Sequence, residues 1–146
     1  FKLRAEEFAP PYWINMGAMA ISTLAGSLLI LKAPHAPYLM SLLPFLKGFT
    51  VFYWATGTWW IPMLLLLGVW RYAYKRFPFE YDPLYWGVVF PLGMYAACTW
   101  QMDRAMEFGF LAALPRSFFY LAFAAWTITF IGMLRSLSRA LFSRST

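Results

Sequence analysis

The most regular feature of the sequence is the spacing of its charged residues, which leaves four long apolar stretches. These stretches lie between Glu7 and Lys32, between Lys47 and Arg71, between Asp82 and Asp103, and between Arg116 and Arg135. A transmembrane helix needs about 20 mostly apolar residues, and none of the stretches alternates like a barrel strand. The pattern therefore predicts four membrane-spanning helices. Their expected ranges are about residues 12–31, 49–72, 84–102 and 117–134.

The composition is typical of an integral membrane protein. Of the 146 residues, 62% are hydrophobic and 12% are charged, whereas a soluble domain has roughly 45–50% apolar and about 25% charged residues. Residues 1–146 are therefore expected to form one transmembrane region in the lipid bilayer, with an all-α fold of two helical hairpins. Because the chain begins with Phe1 in a loop-like segment, we expect it to be the C-terminal part of a longer protein.

The net charge of +6 could indicate a nucleic-acid partner, but the positions of the cations favour membrane orientation instead. Eight of the 12 lysines and arginines lie on one side of a four-span chain: Lys2, Arg4, Arg71, Lys75, Arg76, Arg135, Arg139 and Arg144. Positive residues mark the cytoplasmic side of a membrane. We therefore predict no nucleic-acid partner, cytoplasmic ends for this segment, and a basic cytoplasmic tail at residues 135–146.

The predicted spans contain no acidic residue, and their only basic residue is Arg71 at the very end of span two, which leaves little equipment for catalysis. The segment has one histidine, His35, and one cysteine, Cys98, so it cannot form an internal disulfide, a multi-cysteine metal site or a bis-histidine haem site by itself. Membrane enzymes and proton-coupled transporters usually keep an ionisable residue within the membrane. We expect no enzymatic activity, no catalytic residue, no metal and no cofactor. The serine and threonine hydroxyl groups within the spans suit either weak contacts with an ion or hydrogen bonds to the backbone of their own helix.

Small residues recur at every fourth position in the first and third spans. Ala18, Ser22 and Gly26 have this spacing in span one, and Gly93 and Ala97 have it in span three. Small residues four apart share a helix face and let another helix approach closely. We therefore expect spans one and three inside the bundle, with the bulkier spans two and four toward lipid. Ordinary helix packing without a conduit accounts for this spacing equally well.

A Phe-Pro pair interrupts the third span. Pro91 lacks an N–H and frees carbonyl groups near Gly87, which are tolerated in a membrane only where protein or water satisfies them. The Phe90 ring then either points along a narrow lumen or packs on a neighbouring helix. Residue type alone favours packing.

Three stretches carry a resemblance to a known family. They are PPYWINMGAMAISTLAG (residues 10–26), YWATGTWWIPMLLLLGVWR (residues 53–71) and YDPLYWGVVFPLGMY (residues 81–95). Together they resemble the tellurite-resistance and C4-dicarboxylate transporter family, which includes plant slow anion channels and fungal malate and sulfite transporters. The resemblance extends over nearly the whole chain.

The resemblance implies a ten-helix fold of five hairpins around a central pore, assembled as a homo-trimer in the full-length protein. This chain is similar to helices seven to ten, so its first and third spans correspond to inner, pore-lining helices. A phenylalanine directly before a proline in the ninth helix occludes the pore in the family, and its counterparts here are Phe90 and Pro91. The pore-lining candidates are the small residues Gly17, Ser22, Gly26, Gly93 and Ala97.

The function implied by the resemblance is transmembrane transport of anions. The expected substrates are C4-dicarboxylates such as malate, or tellurite, sulfite, halide or nitrate, and the expected location is the bacterial inner membrane. Two hairpins cannot enclose a pore that the family builds from five. The alternative is therefore a non-conducting structural or assembly subunit of a membrane complex.

Overall fold

The computed structural model describes residues 12–76 and 81–142, and these residues are almost entirely helical. Five α-helices follow one another along the chain: α1 (Trp13–Lys32), α2 (Pro37–Ser41), α3 (Leu43–Val69), α4 (Trp86–Met106) and α5 (Ala113–Phe142). The described ranges contain no β-strand. The predicted all-α fold class is therefore confirmed.

Three of the helices are long and apolar enough to cross a membrane. They lie within Trp13–His35, Leu43–Tyr74 and Ala113–Leu141. The remaining long helix, α4, has 21 residues, but its Trp, Tyr, Gly and Pro residues and its polar last turns lower its mean hydropathy. The crossing by α4, and with it the four-span arrangement, remains a prediction.

Three helices extend several residues beyond the ranges predicted for their spans. α4 ends at Met106, after the predicted range 84–102. α3 begins at Leu43, before the predicted range 49–72, and continues after Val69 as a π-helical turn, Trp70–Tyr74. α5 continues to Phe142, so residues 135–142 of the predicted basic tail are helical.

The helix ends follow the local sequence. α1 ends at Lys32 and is followed by a 3-10 turn, Ala33–His35. The turn ends at Ala36, whose extended conformation (φ −140°, ψ 104°) is the one favoured directly before a proline such as Pro37. Before α4, the Asp82 carboxylate accepts a hydrogen bond from the Leu84 N–H at 2.8 Å, as expected of a helix-initiating aspartate. After α4, Glu107 adopts a left-handed conformation with φ of 55°, which ends the helix and turns the chain toward α5.

The four long helices pack in the spatial order α3, α1, α4, α5. α1 contacts both α3 and α4, and α4 contacts both α1 and α5. The two helices that contain the regularly spaced small residues therefore form the central pair, as predicted, and the bulkier helices flank them. The core between them is built around Met16, Ala20, Leu92, Tyr95 and Cys98.

Two glycines permit the closest contacts of α1. A Cβ on Gly17 would lie 3.0 Å from Pro91 Cγ, and a Cβ on Gly26 would overlap Thr50 Oγ1. The Thr50 hydroxyl cannot easily turn away, because it donates to the Leu46 carbonyl at 2.7 Å. The missing side chains thus set how near α1 lies to α4 on one side and to α3 on the other.

We predict that Gly26→Ala lowers the free energy of unfolding by about 1–3 kcal/mol, the usual cost of overpacking, because the new methyl group pushes α1 away from Thr50. Gly48→Ala is the matched control. Its Cβ would meet no atom within 4 Å, so the better helix propensity of alanine should make it neutral or stabilising by up to about 1 kcal/mol. Denaturation in mixed detergent micelles measures the free energy of unfolding of both variants. If Gly26→Ala and Gly48→Ala change it equally, the packing role of Gly26 is contradicted.

Candidate functional site

The two residues of the Phe-Pro pair point in different directions. The Pro91 ring is fully buried against Gly17, and α4 continues through it without ending. The Phe90 side chain is 52% exposed. Within the described residues, the Phe90 ring is therefore not packed in the core.

Phe90 lies on the face of α4 that also carries the small residues Gly93 and Ala97, with Trp86 one turn before it. At 100° per residue, Phe90, Gly93 and Ala97 all lie on the side opposite Tyr95, which is buried in the core. Gly93 is half-buried and Ala97 is exposed. Trp100 and Arg104 continue the same face toward the end of the helix, with the Arg104 guanidinium carbon 4.8 Å from the centroid of the Trp100 indole.

α1 presents a similar face beside it. Ala18 and Ala25 are exposed and Ser22 is half-buried, and all three lie opposite the core residue Ala20. Because α1 and α4 are neighbours and both turn these faces away from the common core, the faces adjoin. We call the surface formed by Ala18, Ser22 and Ala25 of α1 and by Phe90, Gly93 and Ala97 of α4 the open face.

The open face contains only part of the predicted pore lining. Ser22, Gly93 and Ala97 lie on it together with Phe90. Gly17 and Gly26 instead lie in the contacts of α1 with α4 and α3. A spacing of four residues does not distinguish the open face from a helix–helix contact. It shows which residues share one side of a helix, but not whether that side faces a neighbouring helix or the outside of the bundle.

The hydroxyl groups of α1, of which only Ser22 lies on the open face, are engaged by their own helix. Ser22 donates to the Ala18 carbonyl at 3.1 Å, and Thr23 and Ser27 donate to carbonyls four residues earlier. An anion on the open face would have to draw the Ser22 proton away from its carbonyl. Such a surface offers an anion weak and transient contacts.

Lys32 and Arg104 lie near the same end of the central pair. α1 and α4 run parallel, because Gly17 and Pro91 meet near the start of each helix, and both cations are exposed near the helix ends. Asp103 and Glu107 lie beside Arg104 at the end of α4 and offset this charge. The end of the open face thus carries charges of both signs, while its middle is uncharged.

Side-chain hydrogen bonds join α3 to α4 on the opposite side. Trp54 Nε1 donates to Thr99 Oγ1 at 3.0 Å. The Thr58 hydroxyl donates to the Trp54 carbonyl at 2.7 Å, so the Tyr95 hydroxyl, 2.7 Å from Thr58 Oγ1, donates to Thr58. The sequence analysis considered the hydroxyl groups of the spans but not the aromatic partners Trp54 and Tyr95. Trp54 and Tyr95 lie inside predicted spans, away from the membrane interface where aromatic residues usually act as anchors. That unusual position is the sequence signal that could have indicated hydrogen bonds between α3 and α4.

Metal-binding geometry is absent from the described part of the chain. Among residues 12–76 and 81–142, no three His, Cys, Asp or Glu side chains lie close enough to hold a metal ion. Cys98 is a free thiol buried in the core, where it donates to the Tyr95 carbonyl at a sulfur–oxygen distance of 3.3 Å.

Comparison with known proteins decides the family. The voltage-dependent anion channel family matches residues 1–134. The chain belongs to this family. Anion transport across a membrane is therefore its general function, and the family is one of channels and transporters rather than enzymes. The apolar helices and the family together make this an integral membrane protein.

Individual relatives agree with the family. An uncharacterized membrane protein of Mycobacterium tuberculosis strain H37Rv is 36% identical over 138 residues, which are 94% of this chain and 70% of the relative. Two uncharacterized transporters of Methanocaldococcus jannaschii are each 28% identical over 123 residues. Those residues are 84% of this chain but only 34% of each transporter. No solved structure matches the chain.

We predict that the Trp54–Thr99 hydrogen bond stabilises the contact between α3 and α4 by about 0.6 kcal/mol, the average for such bonds between membrane helices. The measurement is a double-mutant cycle of Trp54→Phe and Thr99→Val on the free energy of unfolding. The same cycle with Trp54→Phe and Ser22→Ala is the control, because Ser22 bonds only within α1 among the described residues. If the coupling energy between Trp54 and Thr99 is no larger than that of the control cycle, the hydrogen bond does not contribute to stability.

Proposed function

We propose that the complete protein conducts anions through a pore lined by the open face of α1 and α4 and gated by Phe90. The observation that carries this proposal is the Phe90 ring, 52% exposed among small residues, on the central helix of an anion-channel family member. The remaining wall of the pore would come from further helical hairpins of the full-length protein. In that arrangement α1 and α4 correspond to inner helices seven and nine of ten.

The surroundings of Phe90 support a role as a gate. Gly93 lies one turn away and Ala97 two turns away on the same face, so neither occupies the space around the ring. Pro91 is held in the core by Gly17, which fixes the backbone directly next to Phe90. A large ring on a fixed backbone, with small residues on the two turns that follow it, can close a narrow lumen and open it by rotating.

The charge distribution supports passage rather than tight binding. The open face carries no charged side chain between its ends, and the cations Lys32 and Arg104 at one end lie close to the acidic Asp103 and Glu107, so no uncompensated charge would hold an anion tightly. Conduction requires binding strong enough for an anion to enter and weak enough for it to leave. A partly engaged hydroxyl such as that of Ser22 satisfies this condition.

The substrate class proposed is a small anion: a C4-dicarboxylate such as malate, or tellurite, sulfite, halide or nitrate. The proposed assembly is a homo-trimer with one pore in each full-length subunit. The proposed location is the bacterial inner membrane, with both ends of this segment in the cytoplasm and the loops after α1 and after α4 outside.

We predict that Phe90→Ala in the full-length protein raises anion flux from proteoliposomes by about tenfold or more, because it removes the ring that closes the lumen. Flux is measured with malate, chloride, nitrate and sulfite. Phe52→Ala is the matched control, since Phe52 is also an exposed phenylalanine, at 63%, but on the flanking helix α3. It should leave flux unchanged.

Unchanged flux in Phe90→Ala, with folding and oligomer size intact and with a conducting wild type, would refute the gate. If neither protein moves any of the four anions, the pore proposal fails for them. A non-conducting structural or assembly subunit would then be the better account of the chain.

We predict that the end of α2 and the end of α5 lie on opposite sides of the membrane. Cys98 is fully buried, so the wild type should give little background with a membrane-impermeant maleimide. Ser138→Cys near the end of α5 should be labelled only in inside-out vesicles, and Ser41→Cys after α2 only in right-side-out vesicles. The reverse pattern would invert the proposed orientation, and labelling of both from one side would refute an odd number of crossings between them.

A further inference from the structure

A large cleft lies on the side of the bundle away from the open face. Its volume is about 1040 Å³. It lies between the end of α3 and the second half of α5, which make little contact with each other, and above the starts of α1 and α4. Trp13 of α1 and Val88 and Val89 of α4 form its floor. The proposed pore does not use it.

The chemistry of the cleft changes along its length. At one end it is lined by Leu64 of α3 and by Ala125 and Ile128 of α5. At the other end both helices contribute arginine: Arg71 from the π-helical turn after α3, and Arg135 and Arg139 from α5. Ile128 and Arg139 are 11 residues apart, which places them about 16 Å apart along the axis of α5.

The cationic end is well suited to phosphate. Arg135 and Arg139 are four residues apart and share one face of α5, and both are exposed. Arg71 is only 8% exposed, with its guanidinium carbon 5.5 Å from the centroid of the Tyr72 ring. The described residues that line the cleft include no aspartate or glutamate. Arginine binds phosphate through paired N–H groups more specifically than lysine does.

We propose that this cleft binds an anionic phospholipid. The headgroup phosphate lies among Arg71, Arg135 and Arg139, and an acyl chain lies along the apolar part beside Leu64 and Ile128. Basic pockets between transmembrane helices recognise anionic headgroups in this way. The site holds one lipid firmly between α3 and α5 at the end of the bundle that carries most of the positive charge.

The apolar half of the cleft identifies a lipid rather than a soluble anion. A free phosphate or carboxylate would use only the arginines and would leave the apolar half without an occupant. The outer surfaces next to the cleft are also apolar, with Leu65, Leu66 and Ile131 exposed. An acyl chain can therefore enter sideways from the bilayer without crossing a polar surface.

Native mass spectrometry of the full-length protein tests the proposal. The purified protein is incubated with equal amounts of phosphatidylglycerol and phosphatidylcholine that have the same acyl chains. The wild type should retain phosphatidylglycerol at least about tenfold better than phosphatidylcholine. The double variant Arg135→Gln/Arg139→Gln should lose about tenfold or more of this preference, because each arginine near an anionic headgroup contributes to the attraction.

Three controls make the result specific. Arg116→Gln removes one exposed arginine at the opposite end of α5 and should keep the preference. Thermal unfolding of each variant should match that of the wild type, since Arg135 and Arg139 are exposed. An excess of glycerol 1-phosphate should not displace the lipid.

Three outcomes would overturn the proposal. Full retention of phosphatidylglycerol by the double variant would show that the arginines do not hold it. Displacement by glycerol 1-phosphate would assign the cleft to a soluble anion. Absence of any retained lipid in the wild type would show that another part of the full-length protein occupies the cleft. None of these outcomes depends on whether the protein conducts anions.

Discussion

The contact between Gly17 and Pro91 is the constraint on which the rest of the structure depends. Successive residues of an α-helix point about 100° apart. When Pro91 packs into the space left by Gly17, the rotation of α4 about its axis is fixed, and Phe90 must turn away from the core. The same contact lies near the start of each helix and so keeps α1 and α4 parallel. The direction of Phe90 is therefore a consequence of how its neighbour packs.

Aromatic and hydroxyl side chains attach the flanking helices to this central pair. Lipid tails are as apolar as leucine, so helices in a membrane associate through close packing and hydrogen bonds rather than by escaping water. Trp54 and Thr58 supply the bonds from α3, and the Tyr95 ring packs against Phe118 of α5 at a centroid distance of 4.5 Å. All of these contacts lie on one side of α4, which leaves the other side uncovered within the described residues.

The bundle consequently presents two surfaces of different chemistry. The open face is lined by small, uncharged side chains, and its hydroxyl proton is already donated to the backbone, so it suits anions that must pass. The cleft combines three arginines with an apolar floor, so it suits an anionic amphiphile that stays. In the proposed pore, an arginine on the open face would hold an anion that a channel has to release, whereas the arginines of the cleft lie outside that pathway.

The sequence by itself determined the class of the protein, because long uncharged apolar stretches can satisfy their backbone groups in a membrane only as helices. It also determined which helices are central, since only small residues allow close approach, and it singled out the Phe-Pro pair. It did not determine which way each small residue points, so Gly17 and Gly26 were grouped with Gly93 and Ala97 although they lie in helix contacts. Only tertiary packing fixed these rotations and placed Arg71 on the same cleft as Arg135 and Arg139. A sequence pattern relates residues within one helix, whereas packing relates the faces of different helices.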